Sequence, residues 1–297
     1  MLPLPAARDE TSLPRLTRAV VPLTREVQVL DEFGQHRTMH IPAERPLTLY
    51  VDKREIVTLM TLGAAPELLA LGYLRNQQLV ASLAEIDSVT VDWDVSAAAV
   101  ATRGGASDFE ARTARRIVTT GCGQGTMFGS LMDQIDRVKL PPPAAARIRQ
   151  STLQQLNDAM RRVDSIHRRA GSVHGCALFR GTEMLTFVED VGRHNAIDTI
   201  AGWMWMHGDS ALGQGGDKVF YTTGRLTSEM VTKAAQLGVP IVISRNGVTQ
   251  MGYELAVKLG MALFGRASQR HFICYCGFDR FDAEPEPERP PVRVVAG

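Results

Sequence analysis

Val188-Glu-Asp-Val-Gly-Arg-His-Asn-Ala-Ile-Asp198 is the stretch on which the reading of this chain turns. A β-forming run gives way there to a helical one, and the junction concentrates two acids, an arginine, a histidine and an asparagine. The first amides of a helix lack partners within it, so such junctions bind anions, and Arg193 would add a bidentate phosphate contact. The same residues also suit a well-capped helix with an exposed charged turn. Working outward, Cys176 to Arg180 and Glu183 to Val188 read as a hairpin around Gly181-Thr182, and His194 to Met206 as a helix. Then follow a strand over Lys218 to Thr222, a helix over Thr227 to Leu237, a strand over Pro240 to Ser244, a helix over Tyr253 to Leu263 and a strand over Phe272 to Tyr275. This succession predicts a sheet covered by helices.

The amino-terminal half is richer in strands. Glu26 to Leu30 and Thr38 to Ile41 flank Glu32-Phe-Gly-Gln, and Leu47 to Val51 and Ile56 to Met60 flank Asp52-Lys-Arg-Glu55, which predicts two hairpins. A buried helix starts at Pro66, a residue suited to the first helical position. Ser88 to Asp92, Ala97 to Ala101 and Arg116 to Thr120 read as strands, the last leading into Gly121-Cys-Gly-Gln-Gly125. From Ala144 to Arg169 the apolar residues Ile148, Leu153, Leu156, Met160, Val163 and Ile166 recur near the helical period, predicting one long amphipathic helix. The expected organisation is α/β (α+β): a flexible arm over 1–24, a mostly β domain over 25–140 that ends in the Cys122 loop, an α/β domain over 141–277 and a disordered, Pro- and Glu-rich tail over 278–297.

Composition removes some functions. With 33 Lys and Arg against 32 Asp and Glu the net charge is +1, so no overall field favours nucleic acid or an anionic membrane, and any anion site is local. No run approaches the ~18 apolar residues of a membrane span, and the start of the chain lacks a signal-peptide pattern, so the cytoplasm is expected. The four cysteines, Cys122, Cys176, Cys274 and Cys276, are too few and too irregular for a disulfide framework.

Cys122 is the first candidate for chemistry, because its glycine neighbours neither shield the thiol nor hold the backbone in one conformation. A small residue in a tight turn would look the same. His174 could be a base, a ligand or a structural histidine. Thr222-Thr-Gly-Arg-Leu-Thr-Ser-Glu229 sits between a strand and a helix, where α/β sheets hold ligands. Zinc is not expected: Cys274-Tyr-Cys276 would turn both thiols to one face of a strand, unlike a C-x2-C knuckle. The His-x-Glu and Cys-x-x-Cys pair of a zinc nucleoside deaminase is missing too, since Gly175 and Cys176 follow His174.

Taken in order, Glu44-Arg-Pro-Leu47, the Pro66 helix, Cys122, the His174 segment, Glu189 to Ala196, Gly224 to Glu229 and Gly238-Val-Pro240 resemble the formate dehydrogenase accessory sulfurtransferase family from about Ile41 to Cys276. The resemblance implies a carboxyl-terminal three-layer domain of cytidine-deaminase-like fold without zinc, and a homodimer. It further implies a persulfide on Cys122, loaded by a cysteine desulfurase and passed to molybdenum in the bis(guanine dinucleotide) cofactor before insertion into formate dehydrogenase. No cofactor is intrinsic; this one would bind transiently at Arg266, Ala267, Ser268, Gln269, Arg270 and His271. A non-catalytic chaperone for the same cofactor is the alternative. The chain departs from the family pattern at Gly125, where relatives carry a second loop cysteine, at Asn246-Gly-Val-Thr249 for Ser-Ala-Pro-Thr, and at Arg266 for Phe.

Overall fold

The computed structural model of the protein describes residues 13–105 and 137–284. Cys122 and the strand expected at Arg116 to Thr120 lie outside the described residues.

Local chemistry sets the two predicted hairpins. β2 (Thr24–Leu30) and β3 (His36–Pro42) form a ribbon of their own, its turn eased by Gly34 at φ 74°. β4 (Arg45–Val51) and β5 (Arg54–Thr61) are joined through Asp52 and Lys53, both in the left-handed region, and two such residues match the twist of a tight hairpin. This pair joins β1 (Arg15–Leu16), β6 (Ile86–Asp92) and β7 (Ala97–Thr102) in a five-stranded sheet of order β1-β6-β7-β4-β5. Residues 13–24, expected within a flexible arm, are therefore part of the fold. β1 pairs with β6, Leu13 and Leu16 pack on the core, and Thr17 Oγ1 and Ala19 N donate to the Glu67 carboxylate at 2.8 and 2.7 Å.

The second sheet has order β10-β9-β11-β12-β13-β14, from β9 (His174–Arg180), β10 (Glu183–Asp190), β11 (Lys218–Thr222), β12 (Ile241–Ser244), β13 (Ala262–Ser268) and β14 (His271–Cys276). β11, β12 and β13 run parallel. Buried on both faces, they alternate: Phe220 and Val242 join one core, while Val219, Tyr221, Ile241 and Ile243 join the other. The first face is covered by the helices Arg193–Met206, Ser228–Gln236 and Gln250–Leu259, here α4, α5 and α6; the opposite face receives Leu153 and Leu156 of α2 (Gln150–Arg162). The expected three layers are present.

α1 (Pro66–Asn76) joins the two sheets, lying against α4 with the five-stranded sheet behind it. A Cβ on Gly72 would sit 1.6 Å from the Asp198 carbonyl oxygen, and one on Gly202 would sit 2.0 Å from that of Leu68, so the two helix backbones touch. One apolar cluster runs from Leu47 and Val89 through Leu71 and Ile197 to Val242. Among the described residues no helix is long and apolar enough to cross a membrane.

Other expectations fail as well. The long helix over 144–169 is broken. Ile148–Arg149 (β8) pairs with Phe281–Asp282 (β15), and after Arg162 a new helix, α3 (Ile166–Ala170), starts at a Ser165 cap, with the Ile166 and His167 amides donating to Glu189. Residues 278–284 do not belong to a disordered tail, because Phe278–Arg280 forms a 3₁₀ turn and buried Arg280 donates to the carbonyls of Gly260, Ala146 and Pro141. Finally, α6 ends at left-handed Gly260, so the residues 262 and 263 assigned to a helix open β13 instead. A bulge in the pairing of β13 with β14 also puts Cys276 in one core and Cys274 against the other, on opposite faces of the strand.

Candidate functional site

The carboxyl ends of β10, β11, β12 and β13, together with the start of α4, form one edge of the molecule. The loop after β11 is fixed from both sides. Thr223 N donates to Gly175 O at 2.9 Å, Thr223 Oγ1 accepts from Gly175 N at 3.0 Å, and Ser244 Oγ donates to Gly224 O at 2.6 Å. Asn246 Nδ2 donates to Thr223 O at 2.8 Å, and Arg266 N to Asn246 O at 2.9 Å, so the loops after β11, β12 and β13 are stitched in a row. On this row stand the exposed arginines Arg225, Arg245 and Arg266. Arg193, the first residue of α4, lies over Gly224 so closely that a Cβ there would come within 2.6 Å of its Cδ; its Nε is buried without a partner.

His174 begins β9 directly across from Asp190. It is half-buried, and burial, with the charges of Arg193, His167 and Arg225 behind it, holds its pKa below the ordinary histidine value. The imidazole is thus neutral at pH 7 beside guanidinium groups, a setting that favours any anion, a thiolate included.

The first two acids of the decisive stretch do other work. Asp190 is buried and accepts from Thr61 Oγ1, from Asn195 Nδ2 at 3.0 Å and from Gly192 N at 3.2 Å, which ties the start of α4 to the end of β5. Burial raises its pKa against the pull of these donors. Glu189 caps α3 at 2.6 and 3.0 Å. Neither carboxylate therefore faces an incoming anion.

Deeper in, Lys233 Nζ lies 2.9 Å from Asp198 Oδ2 and 3.2 Å from Glu229 Oε1, and Asn76 Nδ2 donates to Asp198 Oδ1 at 2.7 Å, so the network joins α1, α4 and α5. Burial alone would lower Lys233 and raise Glu229; Asp198 and Glu229 outweigh it at the lysine, and Lys233 with His194 outweigh it at Glu229. His194 Nδ1 is 3.4 Å from Glu229, yet burial pushes its pKa down to about 4, so at neutral pH this contact is not an ion pair.

The three described cysteines are closed to thiolate chemistry. Cys176 is fully buried, its Sγ 3.3 Å from Thr222 Oγ1, and burial pushes it up to about 12. Burial pushes Cys274 to about 11 and raises Cys276 as well. Among the described residues no group of three or more His, Cys, Asp or Glu is arranged to hold a metal.

The segment Arg266 to His271 is the β13–β14 hairpin. Arg266, Ser268, Gln269, Arg270 and His271 are exposed, whereas Ala267 is wholly buried in the α2-side core and offers a ligand only its backbone. Arg245 was not singled out in the sequence; its position directly after a parallel strand is the signal that would have found it.

Residues 42–282 match the FdhD/NarQ family. The chain belongs to this family. It is 29% identical over 269 residues to the sulfur carrier protein FdhD of Bacillus pumilus, covering 87% of this chain and 98% of that protein. With the sulfur carrier protein FdhD of Listeria monocytogenes it shares 27% over 241 residues, 81% of this chain and 90% of the other. Among solved structures it is similar to a putative formate dehydrogenase accessory protein from Desulfotalea psychrophila, with a TM-score of 0.68 at 23% identity over 88% of this chain and all of the other. At that identity the likeness concerns the fold.

Proposed function

We propose that this protein carries sulfur for the maturation of a formate dehydrogenase, with Cys122 as the carrier. The observation that bears the reading is the closure of the other three thiols: Cys176, Cys274 and Cys276 are buried or held well above the range in which a thiolate forms. That leaves Cys122 as the candidate nucleophile among four. The names of the relatives, sulfur carrier protein FdhD, support the same role.

In the loading step the Cys122 thiolate attacks the outer sulfur of a persulfide on a cysteine desulfurase. A new S–S bond forms on Cys122, the old one breaks, and the desulfurase cysteine leaves as thiolate. The acceptor is the molybdenum of a bis(guanine dinucleotide) cofactor, handled as cargo. The arginine edge fits its diphosphates: Arg193, Arg225, Arg245 and Arg266 come from four elements of one rim, and guanidinium forks match phosphate oxygens. Arg266 to His271 would add exposed donors, with Ala267 contributing backbone only. A cytoplasmic homodimer is the expected form. Because Gly125 stands where the resemblance expects a second cysteine, no internal disulfide closes on release; an external thiol attacks the inner sulfur of the persulfide, becomes a mixed disulfide with Cys122 and frees the outer sulfur as sulfide for the metal.

The test is to incubate the protein with a cysteine desulfurase and cysteine and to look by non-reducing peptide mass spectrometry for one added sulfur. Sulfur on the Cys122 peptide, with maturation lost in Cys122→Ala, is the expected result. Full maturation by Cys122→Ala would replace the carrier with a cofactor chaperone that acts through the arginine edge alone.

A further inference from the structure

At the other end of the six-stranded sheet, where β11 and β12 begin, a cleft of about 350 Å³ is lined by Arg75, Arg137 and Lys139, with no carboxylate lining it among the described residues. Arg75, Lys139, Gln236 and Gly238 also line an adjoining depression of about 570 Å³ that contains Trp205 and a single acid, Asp209. We propose that this cleft is a second anion site that holds a phosphate group, free or carried on a nucleotide. It is independent of the sulfur-carrier reading.

Arg75 is the strongest argument. It lies in the last turn of α1, its Nη1 is shut off from solvent without a partner, and its Nη2 reaches only the Gln236 carbonyl at a long 3.4 Å. Desolvation holds its pKa down to about 10, so at neutral pH it is a charged, poorly compensated guanidinium. A buried cation without a counter-charge is costly, and a bound anion removes the cost.

Cations at helix carboxyl ends are often no more than partners for orphan carbonyls, and α1 and α5 both end here. Those carbonyls, however, are mostly occupied: Gln77, Gln78 and Leu79 amides take those of Tyr73, Arg75 and Leu74, and Leu237, Gly238 and Val239 amides take those of Lys233, Ala235 and Ala234. Each helix end contributes roughly half a negative charge. Among the described residues, three cations against two such ends leave an excess of about two positive charges, enough for a phosphate.

The cleft cannot share a phosphate with Arg193. β11 crosses the sheet from Lys218 near the cleft to Thr222 at the arginine edge, and four steps of ~3.3 Å put ~13 Å between the two ends.

Calorimetric titration of the full-length protein with pyrophosphate and with guanosine diphosphate, at constant ionic strength, tests the site in an Arg193→Gln background that removes the first edge. Saturable binding is expected, weakened about tenfold or more by Arg75→Gln and by Arg137→Gln with Lys139→Gln, as expected for a lost charge-assisted hydrogen bond. Arg137 and Lys139 are exposed, so the double variant decides the matter even where Arg75→Gln fails to fold. Tighter binding of the nucleotide, with fluorescence quenching that Trp205→Phe abolishes, identifies a nucleotide; equal binding of both without quenching identifies free phosphate. Absence of saturable binding, or affinity unchanged in the double variant, overturns the proposal.

Discussion

Gly72→Ala separates two opposite expectations. In a helix interior the exchange should stabilise by about 1 kcal/mol, the difference in helix propensity. Here the added Cβ would meet Asp198 O at 1.6 Å, Asp198 C at 2.5 Å and Gly202 N at 2.7 Å. A carbon needs about 3.4 Å from a carbonyl oxygen, so α1 and α4 must move apart by nearly 2 Å. Even a 0.5–1 Å gap forfeits about a quarter to a half of each dispersion contact, and a buried leucine makes dozens of them at roughly 0.1–0.2 kcal/mol. Leu68, Leu69, Ile197 and Ile200 belong to the affected core. The loss exceeds the propensity gain, and a net destabilisation of about 3 kcal/mol is expected. Urea unfolding should show a lower midpoint at unchanged slope, with Gly247→Ala, whose Cβ would enter open space, close to wild type. A Gly72→Ala protein as stable as wild type would refute the backbone contact between the helices.

Removing the positive member of the buried network by Lys233→Met should cost about 3–5 kcal/mol, because the buried Asp198 loses its counter-charge; Asp198→Asn in the same chain should recover part of the loss, read from denaturation midpoints. His194 has a folded pKa of about 4 against 6.5 when unfolded, so the unfolded chain binds the extra proton. Stability should be full above about pH 6.5 and fall as the pH drops toward 4, and His194→Gln should flatten that slope. Alkylation of the native protein at pH 7.5 should leave Cys176 unmodified and Cys274 and Cys276 nearly so, with labelling of all three after denaturation. Gly224→Ala should push Arg193 from its place and reduce formate dehydrogenase maturation about tenfold while moving the melting temperature by only a few degrees, a split that a merely structural glycine would not produce.

Features governed by neighbouring residues were readable in the sequence. The hairpin at Asp52-Lys53 and the strands β11 and β12 follow from turn chemistry and pattern. Features made by distant residues were not. The break before α3 depends on Glu189, more than twenty positions away, which satisfies the Ile166 and His167 amides. The opposite orientation of Cys274 and Cys276 depends on a bulge that only the pairing with β13 creates. At the candidate site, Arg193 and the Thr222 to Arg225 loop were legible as an anion-binding junction, whereas the inward turn of Asp190 and Glu189 requires Thr61 and α3 to be in position. Cys122 was found from its glycine neighbours alone and lies outside the described residues.

The contact between Gly72 and Gly202 gives the chain a property that neither half has alone. Severed between its two halves, the protein should remain a single particle, because α1 would stay seated on α4 as one subunit on another. An isolated carboxyl-terminal half, by contrast, would expose the apolar surface around Ile197, Ile200 and Ala201 and would be an insoluble fragment in search of its complement.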